Sequence, residues 1–148
     1  MATTTRSLSC PPAAVFDVLA DGWLYPSWVV GASRIRDVEA AWPAAGAKIH
    51  HSFGVWPALI DDSTSVLEWD PPRRMALKAR GWPMGSAEVV LEVEPTARGC
   101  EVSISEDAVE GPGTLVPKAL RDPLIGLRNV ETLQRLEYLA EGRAAARR

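Results

Sequence analysis

Residues 122–142 read DPLIGLRNVETLQRLEYLAEG, and this stretch decides the fold. Asp122 can cap a helix that has Pro123 in its first turn, since both residue types favour helix starts. Apolar residues follow at helical spacing: Leu124, Leu127, Val130, Leu133, Leu136 and Ala140. The pattern predicts one long helix to Gly142 with this stripe facing the protein. Charged residues are expected on its wetter faces: Arg121, Arg128, Arg135, Glu137 and Glu141.

The sequence before this helix has the two-residue period of β-strands. The candidate strands are Thr3–Ser9, Arg34–Ala41, Lys48–Trp56, Ile60–Asp70, Arg74–Trp82, Ser86–Glu94 and Glu101–Val109. Proline and glycine break the chain between the later strands, and such short breaks favour antiparallel pairing because parallel neighbours need long crossovers. Two short helices, Pro12–Ala20 and Trp23–Val30, are predicted after the first strand.

The order of elements limits how the sheet and the helix can pack. One long helix cannot cover both faces of a flat sheet of seven strands. A strongly curved antiparallel sheet that wraps around the C-terminal helix satisfies both elements and leaves an apolar space between them. We therefore predict a single α+β domain over residues 1–148, with the two short helices after strand one.

Composition excludes several classes of function. The chain has 148 residues, of which 47% are hydrophobic and 24% charged, and a net charge of −3. An acidic chain is poorly suited to nucleic acid, and no apolar run is long enough to span a membrane. Cys10 and Cys100 make neither a disulfide framework nor a zinc site, and His50 and His51 point to opposite strand faces. We expect a cytoplasmic protein with no metal and no cofactor, because the sequence has no signal pattern, P-loop or HExxH motif.

Four segments carry a resemblance to a known family. Residues 11–21 (PPAAVFDVLAD) resemble its opening strand-to-helix segment, and residues 25–28 (YPSW) hold the tryptophan that follows. Residues 67–75 (LEWDPPRRM) are similar to a hairpin between middle strands, and residues 99–106 (GCEVSISE) to the last strand. The chain thus resembles the polyketide cyclase/dehydrase-like (SRPBCC) family of the START/Bet v 1-like helix-grip superfamily. The resemblance implies a helix-grip fold and a function among lipid carriers, receptors and aromatase/cyclases.

Strand parity predicts that two titratable side chains point inward. Glu106 shares a strand face with Val102 and Ile104, and His51 shares one with Phe53. A buried carboxylate or imidazole can orient a ligand or transfer a proton. The alternative is structural: Glu106 pairs with an arginine or sits at the cavity mouth, and His51 is a satisfied core histidine.

Aromatic and helical residues supply the other candidates for a ligand site. Four tryptophans can either line a pocket for an aromatic ligand or fill the core: Trp28, Trp56, Trp69 and Trp82. Asn129 lies beside the apolar stripe, where its amide can bond a ligand carbonyl or a loop backbone. The predicted ligand site comprises Trp28, His51, Phe53, Trp56, Glu106, Leu124, Leu127 and Asn129.

Three functions are compatible with this pattern. The first is binding or carriage of a small hydrophobic ligand, such as a lipid, a polyketide-like aromatic or an isoprenoid. The second is a polyketide aromatase/cyclase or dehydratase in which His51 and Glu106 share proton transfer, which requires both side chains to converge in one open pocket. The third is an interaction module with a filled cavity, active as a homodimer formed through its tryptophan-rich edges.

Overall fold

In the computed structural model, seven antiparallel strands form one sheet on which a helix of 29 residues packs. The structure describes residues 2–30, 32–53, 60–81 and 85–146, without the side chains at positions 33, 53, 60 and 81. The elements are β1 Ala2–Leu8, α1 Pro12–Ala20, α2 Tyr25–Trp28, β2 Ala32–Val38, β3 Lys48–Phe53, β4 Ile60–Asp70, β5 Arg74–Gly81, β6 Gly85–Thr96, β7 Gly99–Glu110 and α3 Lys118–Ala146. Short 3₁₀ helices lie at Gly22–Leu24 and Pro112–Leu115.

The strand order confirms the predicted helix-grip fold. The sheet runs β1-β7-β6-β5-β4-β3-β2, so consecutive strands from β2 to β7 pair as a meander and β1 pairs with β7. The predicted ends of two other strands, Trp56 and Trp82, lie outside the described residues. Among strand ends that fall on described residues, the largest shift is in β2, which ends at Val38 rather than Ala41. The chain turns there, because the backbone N–H of Trp42 donates to the carbonyl of Glu39 at 2.9 Å.

Helix α3 begins four residues earlier than the sequence predicts. The carbonyl of Pro117 accepts hydrogen bonds from the backbone N–H groups of Leu120 at 3.0 Å and Arg121 at 2.9 Å, which starts the helix at Lys118. The predicted start at Asp122 is therefore wrong, and Pro123 lies inside the helix rather than in its first turn. Its missing N–H removes one backbone hydrogen bond there.

The inward face of α3 also differs from the predicted stripe. Three residues of the predicted stripe are buried: Leu133, Leu136 and Ala140. The other three are exposed: Leu124, Leu127 and Val130. A step of three residues falls about 60° short of a full turn, so Leu127, nine residues before Leu136, points to the opposite side of the helix. The inward face continues instead through Thr132 and Asn129, which are buried.

The two halves of α3 have different neighbours. Its C-terminal half packs into a solid core that includes Leu8, Phe16, Leu19, Ile49, Met75, Leu91, Val102 and Leu136. Polar contacts attach the same half to the first strand and the residue after it: Arg6 pairs with Glu137 at 2.8 Å, and the Ser9 backbone N–H donates to Glu141 at 2.8 Å. The helix is thus anchored by its C-terminal half.

We expect Leu136→Ala to lower the free energy of unfolding by about 2–5 kcal/mol, because it leaves a cavity in a packed core. Leu127→Ala is the matched control, since the Leu127 side chain is 73% exposed and should change stability by no more than about 0.5 kcal/mol. Urea unfolding followed by circular dichroism measures both. Equal losses in the two variants would show that the phase of α3 is wrong.

Candidate functional site

A cavity of about 480 Å³ lies under the N-terminal half of α3. Strands β5, β6 and β7 form its floor, α3 covers it, and α2 closes one side. Volumes of roughly 300–1,000 Å³ are typical of sites that bind small organic molecules. The predicted space between sheet and helix is therefore present and unfilled.

A taper in side-chain size along three strands creates this space. Three rows of paired residues cross β5, β6 and β7. The first row is Met75, Leu91 and Ile104, and the second is Leu77, Val89 and Glu106. The third row is Ala79, Ala87 and Ala108. The first row belongs mainly to the core, and the three alanines line the cavity. Methyl groups are too short to reach α3, so the sheet and the helix separate at this end. Sequence reasoning missed this row because the pairing of alanines in three strands becomes visible only once the register is known.

Glu106 faces inward, as strand parity predicts, and its carboxylate pairs with Arg128 of α3. A second pair lies beside it: Arg121 donates to Asp107 at 2.8 Å and also to the carbonyl of Gly113 at 3.2 Å. Both arginines line the cavity, whereas the sequence placed them on wetter faces of the helix. That prediction was wrong because it followed from the misplaced apolar stripe.

His51 is fully buried, but it is not among the residues that line the cavity. Its ring stacks on Tyr25 with centroids 5.6 Å apart, and its Nε2 lies 2.7 Å from the Thr64 hydroxyl. The Tyr25 hydroxyl is 3.1 Å from the same Thr64 oxygen. Because Tyr25 lines the cavity and His51 lies behind it, Tyr25 separates His51 from the cavity.

Burial determines the ionisation states of His51 and Tyr25. It lowers the pKa of His51 to about 4, while the nearby charges of Asp62, Arg36 and His50 have smaller effects of mixed sign. Burial likewise raises the pKa of Tyr25 to about 12. At neutral pH both groups are uncharged, which suits a hydrogen-bonded core network more than proton transfer.

The remaining predicted site residues fall in different places. Trp28 and Asn129 are buried and line the cavity, and Leu124 lines it at the rim while 67% exposed. Leu127 lies on the outer face of α3 and does not line the cavity.

The other tryptophans and Phe53 are not part of the described cavity wall. Trp69 packs against Phe16 with ring centroids 5.3 Å apart, outside the cavity. Trp56, Trp82 and the Phe53 side chain lie outside the described residues.

Metal ligands and thiols are the remaining reactive groups in the part of the chain that the structure describes. No group of three His, Cys, Asp or Glu side chains there can hold a metal ion, and no described helix is long and apolar enough to cross a membrane. Cys10 and Cys100 are both buried, and burial raises the pKa of each thiol, that of Cys100 to about 12. Neither thiol is activated as a nucleophile.

The architecture and the cavity define a helix-grip protein with room for a small organic ligand. The family model described as "Polyketide cyclase / dehydrase and lipid transport" matches residues 1–137, and the chain belongs to this family. No curated protein matches it significantly.

Solved structures share the fold at low sequence identity. Protein NE0264 from Nitrosomonas europaea is 20% identical with a TM-score of 0.71, and the match covers 97% of this chain and 95% of that one. Protein CV1439 from Chromobacterium violaceum is 20% identical with a TM-score of 0.71, over 94% and 96% of the two chains. The di-domain ARO/CYC StfQ from the steffimycin biosynthetic pathway is 12% identical with a TM-score of 0.75, over 97% of this chain and 51% of StfQ.

The pKa of His51 makes stability depend on pH. Because its folded-state pKa of about 4 lies below the ordinary value of 6.5, the unfolded chain takes up the proton first as pH falls. His51 therefore costs no stability above pH 6.5 and lowers it progressively between pH 6.5 and 4, by roughly 3 kcal/mol in total.

Urea unfolding across this range tests the effect by comparing wild type with His51→Gln, whose stability should fall less with acidification. Leu127→Ala, an exposed substitution that changes no titratable group, is the control and should keep the wild-type slope. An unchanged slope in His51→Gln would contradict the burial of an uncharged His51.

Proposed function

We propose that this protein binds and carries a small, largely apolar molecule in the cavity between β5–β7 and α3. The unfilled cavity of about 480 Å³, with the alanine row as its floor, is the observation that carries the proposal. Each Å² of apolar surface that a ligand buries there contributes about 25 cal/mol. A lipid, a polyketide-like aromatic or an isoprenoid suits such a space.

The positions of the charged groups support carriage. Three of the described arginines line the cavity, and each has a carboxylate partner: Arg80 with Asp62, Arg121 with Asp107 and Arg128 with Glu106. In each pair the carboxylate and the guanidinium occupy one another, so neither charge is left over to contact a ligand. The walls can thus hold a ligand without acting on it.

A polyketide aromatase/cyclase or dehydratase is the second candidate, favoured by the family description and by the fold shared with StfQ. It requires His51 and Glu106 to reach one substrate. Here Tyr25 stands between His51 and the cavity, so proton transfer from His51 would have to pass through Thr64 and Tyr25. Because this route is longer, we rank the aromatase/cyclase or dehydratase function below carriage.

A third candidate, an interaction module with a filled interior and a homodimer as its active unit, agrees least with the open cavity.

Native mass spectrometry of protein purified from its own host tests carriage directly. We expect an added mass, below that of a peptide, that is lost when the protein is denatured. Protein that carries no such mass, and that also fails to bind the uncharged apolar dye Nile red, would argue against a carrier.

Ala87→Leu should abolish or weaken Nile red binding at least about tenfold, because the larger side chain rises from the centre of the alanine row into the cavity. Stability should change little, since the added carbons enter empty space. Ala145→Leu makes the same substitution at an exposed position of α3 and should bind the dye like wild type. Fluorescence titration measures all three proteins, and equal affinities would place dye binding outside this cavity.

A further inference from the structure

Two buried hydrogen-bond donors in the cavity wall have no acceptor. Trp28 is 2% exposed and Asn129 is 1% exposed, and both line the cavity. Within the described part of the chain, the indole Nε1 of Trp28 and the amide Nδ2 of Asn129 have no hydrogen-bond partner. Buried polar groups in proteins nearly always have one, so an unpaired pair in one wall calls for an explanation.

Among the other polar groups of the wall, the Ser86 hydroxyl and the Arg121 Nε–H also lack a partner within the described residues, whereas the hydroxyls of Tyr25 and Thr132 are paired. The Tyr25 hydroxyl bonds Thr64, and the Thr132 hydroxyl accepts a hydrogen bond from the backbone N–H of Val30 at 3.4 Å. All four unpaired groups can donate a hydrogen bond, so the wall still needs an acceptor; of the four residues, Asn129 and Trp28 are the most deeply buried uncharged ones. The Trp28 indole determines that the ligand must supply an acceptor, because Nε1–H can only donate a hydrogen bond. The Asn129 amide can donate or accept.

The charges of the wall exclude an anionic partner for these donors. Every described arginine that lines the cavity is paired with a carboxylate, so an incoming carboxylate or phosphate meets no free cation. An unpaired charge is strongly disfavoured in an apolar space, while an uncharged oxygen acceptor costs far less to bury.

We propose that the cavity selects an uncharged ligand with a carbonyl-type oxygen, as in a ketone, quinone or ester, set in an apolar frame. Trp28 and Asn129 donate hydrogen bonds to that oxygen, and the alanine row accommodates the hydrocarbon part. The inference rests on the proposed binding of an apolar molecule and narrows its chemical class. A site built to hydrogen-bond one group discriminates against analogues without it, because its own donors are then left unpaired.

Three probes with the same two phenyl rings test this selectivity on the full chain: diphenylmethane, benzophenone and diphenylacetate. They offer no acceptor, an uncharged carbonyl and a carboxylate, respectively. We expect calorimetric titration to show benzophenone binding about tenfold more tightly than diphenylmethane, which is the scale of two ordinary hydrogen bonds. Diphenylacetate should bind at least about tenfold more weakly than benzophenone.

Two variants test whether the named donors produce the preference. Trp28→Phe and Asn129→Leu each remove one donor while keeping an apolar side chain at the position, and each should lower the ratio of benzophenone to diphenylmethane affinity several-fold. Trp69→Phe is the matched control, because Trp69 packs against Phe16 outside the cavity and its loss should leave the ratio unchanged. Residual diphenylmethane binding in each variant shows that the protein is folded.

The outcomes separate this inference from the proposed function. If wild type binds diphenylmethane as tightly as benzophenone, or diphenylacetate most tightly, the inference is wrong while carriage of an apolar molecule stands. A ratio that survives in both donor variants also overturns it. If none of the three probes binds, both the inference and the cavity as a ligand site are overturned.

Discussion

The cavity depends on three alanines that meet side by side across β5, β6 and β7. Ala79, Ala87 and Ala108 are in register, so their methyl groups form one low row on the sheet. Larger side chains in the same strands fill the space under the other half of α3, where Leu133 and Leu136 complete the core. One helix is therefore both a packed core element and the cover of a cavity. The sheet determines which role each half takes.

Charge pairs connect the covering half of α3 to the sheet, in addition to its buried contacts at Asn129 and Thr132. Arg121 and Arg128 reach across to Asp107 and Glu106 of β7, close to where the apolar contacts of the core end. Ion pairs that are partly buried hold the helix in place without filling the space beneath it. The same pairs also balance the charges of the arginines that line the cavity.

The sequence was sufficient for the fold and only partly for the site. The alternating strands and the long helical segment predicted the architecture, because both periods depend on local geometry that each segment carries by itself. Strand parity also correctly predicted that the Glu106 side chain points inward. The stripe on α3 was misread because apolar residues every third position drift around the helix, and Leu127 ended on the solvent side.

Features made by several segments together lay beyond sequence reasoning. The alanine row needs the register of three strands, and the separation of His51 from the cavity needs the position of Tyr25 relative to β3 and β4. Both features depend on tertiary structure, which the pattern of a single segment does not contain. Asn129 was a candidate from its place on the helix, but its lack of a partner is visible only when the surrounding groups are in place.

The family description joins cyclases to lipid transport, and the difference between these activities is whether a titratable group can move a proton at the ligand. In this chain Glu106 is held by Arg128, and His51 is uncharged at neutral pH behind Tyr25. The Trp28 indole N–H and the Asn129 amide, two of the wall groups without partners, are hydrogen-bond donors and do not titrate near neutral pH. Such a wall agrees with the proposed carriage of an apolar molecule that holds an oxygen acceptor.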